Sequence, residues 1–178
     1  MQEMNHGKSE DYITQWKARF AREKAERHDG KTSVVLFRMG RNWFGLATQI
    51  FREIAEPRPV RRIPHRTNSV LLGLMNVRGA LHLCVNFQTL LKLDPQQMPE
   101  QTVQNLSAFR RIVVIEKEGN AWAFQVDQIH SLYRVSASDV VAFSDPEKIS
   151  RGIIEWQGKT VDLIDENLLF ERLARSLE

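Results

Sequence analysis

Histidine and cysteine are the side chains in this sequence best suited to metal binding or nucleophilic chemistry, and their spacing argues against both. The one cysteine, Cys84, lies inside an apolar run and is predicted to be a buried thiol. The histidines are scattered, with no cysteine or carboxylate at metal-ligand spacing: His6, His28, His65, His82 and His130. Nucleophile-elbow, phosphate-loop and helical His-Glu motifs are lacking as well. The sequence therefore predicts a protein that is not an enzyme and uses no metal or cofactor.

A different chemistry, recognition by a charged side chain, is indicated where an arginine occupies a turn. The stretch Asn76-Val77-Arg78-Gly79 joins two apolar runs, as a hairpin turn does. Such a turn needs its glycine for a backbone conformation that other residues resist, but it does not need an arginine. Arginine is enriched at protein interfaces because its guanidinium donates several hydrogen bonds in a fork. Arg78 is therefore a candidate binding residue.

The chain repeats itself at an offset of 79 residues. The segments 34–51 and 113–130 share six identities in 18 gapless positions, where composition alone would give about one. The same offset lays 73–91 on 152–170 and matches their glycines and apolar positions. The sequence therefore predicts two copies of one small unit.

Each copy is predicted to be mostly strand, with Gly and Pro punctuating the loops. The predicted strands lie at 33–39, 43–48, 70–77 and 80–85 in the first copy, and near 110–117, 121–127, 129–135, 151–156 and 160–164 in the second. Asn86 is predicted to cap a short helix at 87–92, and Asp165 to cap a final helix at 166–177. Several short strands at this spacing favour small barrels over a parallel sheet.

A segment of another kind precedes the repeats. Residues 9–28 are predicted to form an amphipathic helix in which Ile13, Trp16 and Phe20 occupy one narrow apolar face. A helix this polar is marginal in water when isolated. We therefore expect this face to dock on the chain's own barrels or on a partner.

Charge and hydropathy indicate where in the cell the protein acts and which partners it could contact. Residues 1–92 carry 16 basic and 8 acidic side chains, whereas residues 93–178 carry 9 and 14. The densest basic patch is the Pro-containing stretch 57–66, for which a solvated loop, an anionic protein or membrane contact, and nucleic-acid binding all remain open. No apolar run approaches the ~20 residues that cross a bilayer, and the N-terminus is too polar for a secretory signal. These features predict a cytoplasmic protein.

The second copy serves as a control for the first. Gly79 has Gly158 opposite it, so the turn glycine is predicted to be structural, whereas Arg78 has Gln157 opposite it. Glu53 has the neutral Leu132 opposite it. One interpretation is an Arg78–Glu53 salt bridge within the chain, which contributes only ~0–1 kcal/mol when exposed. The other is a polar anchor for a partner, and the two are compatible.

At these residues the sequence resembles the CheW family, the coupling proteins of bacterial chemotaxis, over residues 33 to about 173. The first part of the family pattern is a strand, a glycine, an aromatic-glycine pair and a V-x-E-I-like segment, represented here by VVLFRMG, Phe44-Gly45 and Phe51-Arg52-Glu53-Ile54. The second part is an apolar strand into Asn-Leu-Arg-Gly and a strand that ends before a helix, represented here by Leu71–Val77, Asn76–Gly79 and Leu81–Asn86.

The resemblance implies a fold and a function. The fold is mostly β, with two small, intertwined five-stranded barrels of SH3-like or OB-like type, flanked here by the N-terminal and C-terminal helices. The function is that of a non-catalytic adaptor between the cytoplasmic tips of methyl-accepting chemoreceptors and the regulatory domain of a CheA-type histidine kinase, with the receptor tip docked between the barrels. The partner-binding residues implied or flanking those matches are Arg78, Glu53, Phe51, Gly73, Asn76 and Gly79. A nucleic-acid-binding small-barrel protein is the main alternative, and a hydrolase with a dispersed site is a third, weaker one.

The resemblance also allows domain boundaries to be predicted, and it shows where this sequence differs from the family pattern. The predicted organisation is a helical extension at 1–31 and a CheW-like domain at 32–177, divided into a first repeat at about 33–92, a linker at about 93–107 and a second repeat at about 108–173. Asn86 replaces the usual aspartate, and Phe51 is bulkier than the usual aliphatic residue. The extension resembles coupling proteins of chemosensory pathways that do not serve flagella. The protein is expected to lie at the inner membrane only through receptor arrays, without inserting into it.

Overall fold

The computed structural model describes residues 31–93, 109–142 and 148–177. The strands in these residues are β1 Lys31–Met39, β2 Asn42–Ala47, β3 Phe51–Ala55, β4 Val60–Arg61, β5 Leu71–Val77, β6 Ala80–Val85, β7 Arg111–Lys117, β8 Asn120–Val126, β9 Gln128–Ser136, β10 Ser150–Trp156 and β11 Lys159–Ile164. The helices are α1 Phe87–Leu90 and α2 Glu166–Arg175, with a short 3-10 helix at Ala137–Asp139. The predicted N-terminal helix and its docking face Ile13, Trp16 and Phe20 lie outside the described residues, as does nearly all of the linker.

The strands form two sheets that exchange parts of the two copies. One sheet, called barrel A here, has the order β10-β11-β2-β1-β9, and the other, called barrel B, has the order β3-β7-β8-β6-β5-β4. The first hairpin of each copy thus joins the remaining strands of the other copy. Hairpin neighbours pair antiparallel, whereas β11 with β2 and β6 with β8 pair in parallel. The predicted mostly-β, intertwined fold is confirmed.

Strands β1 and β7 each contain a continuous run of four buried apolar residues, because both faces of the strand are covered there. Along β1, Val34 and Leu36 belong to the core of barrel A, whereas Val35 and Phe37 belong to a core that both sheets share. The equivalent strand β7 alternates in the same way between the core of barrel B and the shared core. This arrangement explains why the run in β1 shows no alternation of apolar and polar residues.

Each sheet curls around its own core. Val135 on β9 and Ile154 on β10 come from opposite ends of the strand order in barrel A, yet they belong to one buried cluster. In barrel B, Ala55 on β3 and Val60 on β4 come from the two ends of the strand order and contact one buried cluster. A flat sheet could not bring such strands together, so the curvature produces the barrel form that the short strands predicted.

Three local predictions need correction. The basic stretch 57–66 contains the short strand β4, which pairs with β5 and makes barrel B six-stranded instead of five-stranded. Both helices end earlier than predicted, at Leu90 instead of 92 and at Arg175 instead of 177. The caps are confirmed, since the Asn86 side chain accepts from the Thr89 amide and the Asp165 side chain accepts from the amides of Asn167 and Leu168. The two-residue strand β4 is too short to leave a periodic pattern.

None of the helices in the described residues is both long and apolar enough to cross a membrane.

Candidate partner-binding site

The β5–β6 turn places Arg78 at the tip of a hairpin. The φ angles are +52° at Arg78 and +90° at Gly79, and positive φ at both central residues is what a type I′ turn requires. The Asn76 Oδ1 atom accepts a hydrogen bond from the Gly79 amide at 2.8 Å. A Cβ at Gly79 would meet nothing within 4 Å, so its backbone conformation, not a lack of space, favours glycine there.

The second copy contains the same turn. Gln157 and Gly158 have φ angles of +50° and +70° at the equivalent positions. An uncharged side chain therefore occupies the position of Arg78 without a change in backbone conformation. The charge at Arg78 is not a requirement of the hairpin.

Arg78 and Glu53 come together across barrel B, as one interpretation of the sequence expected. The Arg78 Nε atom lies 3.5 Å from the Glu53 Oε2 atom. The Arg78 side chain is 44% exposed and that of Glu53 is 17% exposed. A β-bulge between Phe51 and Glu53 shifts the register of β3 against β7 just before the glutamate. The pair thus presents a largely accessible guanidinium above a mostly covered carboxylate.

A second ion pair on β3 adds charge near this site. Arg52 contacts Glu116 on β7, with side chains that are 50% and 32% exposed. The equivalent positions in the other copy are Ser131 and Phe37, which are uncharged. This ion pair is therefore present in barrel B and has no counterpart at the equivalent positions of barrel A.

Two of the residues implied by the resemblance are buried. Phe51 is 6% exposed and packs in the shared core. Gly73 is also buried, and a Cβ added to it would lie 2.2 Å from the Arg61 carbonyl oxygen of β4. Its equivalent, Gly152, has a similar φ and a similarly close backbone neighbour. These positions give Phe51 and Gly73 packing roles, and their contact with a partner stays a prediction.

His82 belongs to the same region and was not singled out from the sequence. It is 4% exposed and faces Met75 in the β5–β6 register. Among the described residues, neither ring nitrogen has a hydrogen-bond partner. Burial lowers the pKa of His82, an effect that the Glu53 carboxylate opposes and the Arg52 guanidinium adds to. The equivalent residue is Val161, so the comparison of the two copies could have identified His82.

Barrel A has an aromatic cluster at the equivalent hairpin. The ring of His130 lies 5.8 Å from that of Trp43 and 4.7 Å from that of Trp156, and the two indoles lie 5.3 Å apart. The Lys159 Nζ atom lies 4.4 Å from the centre of the Trp43 ring and 5.5 Å from that of Trp156. The cation therefore covers aromatic faces of its own barrel.

The prediction that Cys84 is a buried thiol is confirmed. The thiol is free, 2% exposed, and packed in the core of barrel B. Burial raises the pKa of Cys84 to about 11, which keeps the thiol protonated at neutral pH. Across residues 31–93, 109–142 and 148–177, no group of three or more His, Cys, Asp or Glu side chains could hold a metal ion.

Comparisons with known proteins agree with this arrangement. Residues 33–174 match the family model described as the CheW-like domain. Among solved structures, the chain is similar to the scaffolding protein TtCheW from Thermoanaerobacter tengcongensis, with a TM-score of 0.65 and 19% sequence identity. That match covers 82% of this chain and 91% of TtCheW. No curated protein matches the chain at a significant level.

The family match and the two exchanged barrels thus support the same conclusion. The structural similarity carries the fold, and the family match spans most of the sequence. The chain belongs to the CheW-like domain family.

Proposed function

We propose that this protein is a non-catalytic adaptor that couples the cytoplasmic tips of methyl-accepting chemoreceptors to a CheA-type histidine kinase in a chemotaxis-like array. It would act at the cytoplasmic face of the inner membrane, held there by receptors. Family membership supports the scaffold role, and the resemblance described above supplies the two partners. The observation that carries the proposal is the exposed Arg78 guanidinium, presented on a turn that forms equally well with Gln157.

The energetics of the Arg78–Glu53 pair favour a role in binding over a role in folding. The Arg78 side chain is 44% exposed, and an ion pair with this exposure contributes at most ~1 kcal/mol to folding because solvent screens it. The same guanidinium at the centre of an interface, where water is excluded, could contribute on the order of 2 kcal/mol. Glu53 orients it, and Asn76 and Gly79 hold the turn from which it projects.

A double-mutant cycle tests the proposal. The affinities of a receptor-tip fragment and of the kinase regulatory domain are measured for wild type, Arg78→Ala, Glu53→Ala and the double variant. Arg78→Ala should weaken one of these complexes roughly 30-fold. The two substitutions should be clearly non-additive if the pair acts as one anchor.

Gln157→Ala is the matched control, because it truncates the equivalent side chain of the other hairpin and should leave both affinities unchanged. Unchanged affinity for both partners in Arg78→Ala would remove this arginine from the binding site. Binding of DNA or RNA with steep salt dependence would instead favour the nucleic-acid alternative, for which the basic stretch 57–66 is the candidate contact.

The proposal treats residues 1–31 as an extension accessory to the CheW-like domain at 32–177. Deletion of residues 1–30 should leave the two barrels folded and change assembly or stability, because it removes the proposed docking face formed by Ile13, Trp16 and Phe20. Circular dichroism and sedimentation of the truncated and full chains measure this. Fully solvated Trp16 fluorescence, both alone and in the assembled complex, would contradict the docking of that face.

A further inference from the structure

His82 is a buried polar residue that the fold does not require. It is 4% exposed, and neither of its ring nitrogens has a hydrogen-bond partner in the part of the chain that the structure describes. At the equivalent position of barrel A, Val161 is 0% exposed, so an apolar side chain serves the same packing purpose there. A buried imidazole without partners destabilises a fold, which suggests that it acts in a state other than the one described.

The charged groups around His82 come from neighbouring elements. Glu53 and Arg52 on β3 both act on the imidazole, in opposite directions. Arg52 is itself paired with Glu116 on β7. Arg78 lies on the turn above and is engaged with Glu53. His82 faces the uncharged Met75, two residue pairs from the turn that carries Arg78. The Glu53 carboxylate, which Arg78 contacts at 3.5 Å, is therefore the anion that acts on the imidazole.

The Glu53 carboxylate retains the capacity for a second partner. Its contact with the Arg78 Nε atom, at 3.5 Å, is longer than a strong charge-assisted hydrogen bond. A carboxylate has about four lone-pair sites, so a single long contact leaves several of them available. With a side chain 17% exposed, the carboxylate is also largely shielded from water that could fill them.

We infer that His82 is a positioning residue for the binding site, and that its imidazole becomes the partner of the Glu53 carboxylate when an anionic group of a bound protein draws Arg78 outward. In that state one ring nitrogen takes a proton from solvent, and the resulting imidazolium donates a hydrogen bond to the carboxylate. The charge of Glu53 would then be compensated inside the barrel while Arg78 is engaged by the partner. The part of this inference that concerns a partner rests on the proposed function.

Proton uptake follows from this arrangement. In the free protein, burial holds the pKa of His82 below its usual value. Release of Glu53 from Arg78 increases the attraction between the carboxylate and an imidazolium, so the complex binds a proton more readily than the free protein does. Affinity for the partner should therefore rise as the pH falls through the region near 6.5, the usual pKa of histidine.

The first test needs no partner. The pKa of His82 is measured by NMR titration of the full chain, with His82→Val used to assign its signal among the five histidines. Arg78→Ala frees Glu53 and should raise the pKa of His82 by about one pH unit. The double variant Arg78→Ala with Glu53→Gln should lose that rise. Equal values in wild type and Arg78→Ala, or a rise that survives Glu53→Gln, would overturn the inference.

The second test uses the receptor-tip fragment. Wild type should bind it up to about tenfold more tightly at pH 6 than at pH 8, and His82→Val should remove this dependence. His82→Val is expected to fold because barrel A carries valine at the same position. Tight binding without pH dependence would refute the role of His82 while supporting the proposed function. Absence of binding at every pH would count against the proposed function, and the partner-free titration would then decide the inference.

Discussion

The hairpin ends of the two barrels share a backbone and differ in almost every polar side chain. Both turns have positive φ at two successive residues, and both end in glycine. The end of barrel A is closed by the rings of Trp43, His130 and Trp156, which pack edge-on or tilted against one another beneath Lys159. The end of barrel B instead carries the Arg78–Glu53 pair. Duplication thus preserved the scaffold while the two ends acquired different chemistry.

The two ends differ in how completely their polar side chains are matched by partners within the same barrel. In barrel A the cation rests on aromatic faces of its own chain, and Trp156 is 7% exposed. In barrel B the guanidinium contacts Glu53 at 3.5 Å, and within the described residues the ring nitrogens of His82 have no hydrogen-bond partner. An end that is satisfied internally stabilises the fold, whereas an incompletely satisfied end can form new contacts without first breaking strong ones.

The largest expected effect is on the aromatic end. Trp156→Ala should lower the free energy of unfolding by about 3–5 kcal/mol, because it removes a buried indole that packs against Trp43 and His130. Arg78→Gln, which copies the residue of the other hairpin, should change it by less than about 0.5 kcal/mol. Urea unfolding monitored by circular dichroism measures both. Similar losses in the two variants would show that the two ends do not differ in their role in folding.

Substitution of the buried strand glycine by alanine should destabilise the protein in both copies, but by different amounts. Gly73→Ala should destabilise the protein by about 3 kcal/mol or more, because the new Cβ would lie 2.2 Å from a rigid backbone oxygen at a positive φ. Gly152→Ala should cost less, since its new Cβ would lie 2.8 Å from the nearest backbone oxygen, that of Val141, and 2.7 Å from a Val140 side-chain atom. Gly79→Ala, where the space is open, is the control and should cost about 1 kcal/mol. The reverse order in urea unfolding would contradict this account of the glycines.

His82 should make stability depend on pH, and Val161 should not. The unfolded chain protonates this histidine near pH 6.5, whereas burial lowers the pKa of His82 in the folded chain. The contribution of the neutral imidazole to the free energy of unfolding is therefore fully present above about pH 6.5. It is lost as the pH falls toward the folded-state pKa. Urea unfolding between pH 5 and pH 8 should show this loss in wild type and a smaller one in His82→Val. A loss of equal size in both proteins would assign it to other groups.

The smallest expected effect concerns the cation of the aromatic end. Lys159→Met should lower the free energy of unfolding by about 0.5–1 kcal/mol, because it removes a cation–π contact with Trp43 and Trp156. Ala80→Lys introduces a lysine at the equivalent position of barrel B, where Val77 stands in place of Trp156. This substitution should not raise the free energy of unfolding by a comparable amount. Stabilisation by both lysines alike would show that charge, and not the aromatic surface, is responsible.

The sequence determined the parts of this protein that depend on local pattern and on repetition. The 79-residue offset predicted two copies, and the apolar runs and turn glycines predicted most strands to within a few residues. Asn86 and Asp165 predicted both helix starts because a capping side chain acts within one turn. The comparison of Arg78 with Gln157 and of Glu53 with Leu132 singled out both residues and gave their ion pair as one interpretation, because two copies of one fold reveal which polar residues the fold does not need.

The tertiary structure alone decided which strands join which barrel and what surrounds each side chain. The sequence pattern is the same whether β1 pairs with β9 or with its own copy's β3, so the exchange inferred from family resemblance became visible only in the sheet order. The strand β4 is set by the close approach of its backbone to Gly73, a contact between residues distant along the chain. His82 reads as one scattered histidine in the sequence. Only folding buries it and exposes it to the charge of Glu53, because burial and charge at a residue depend on all the elements packed around it.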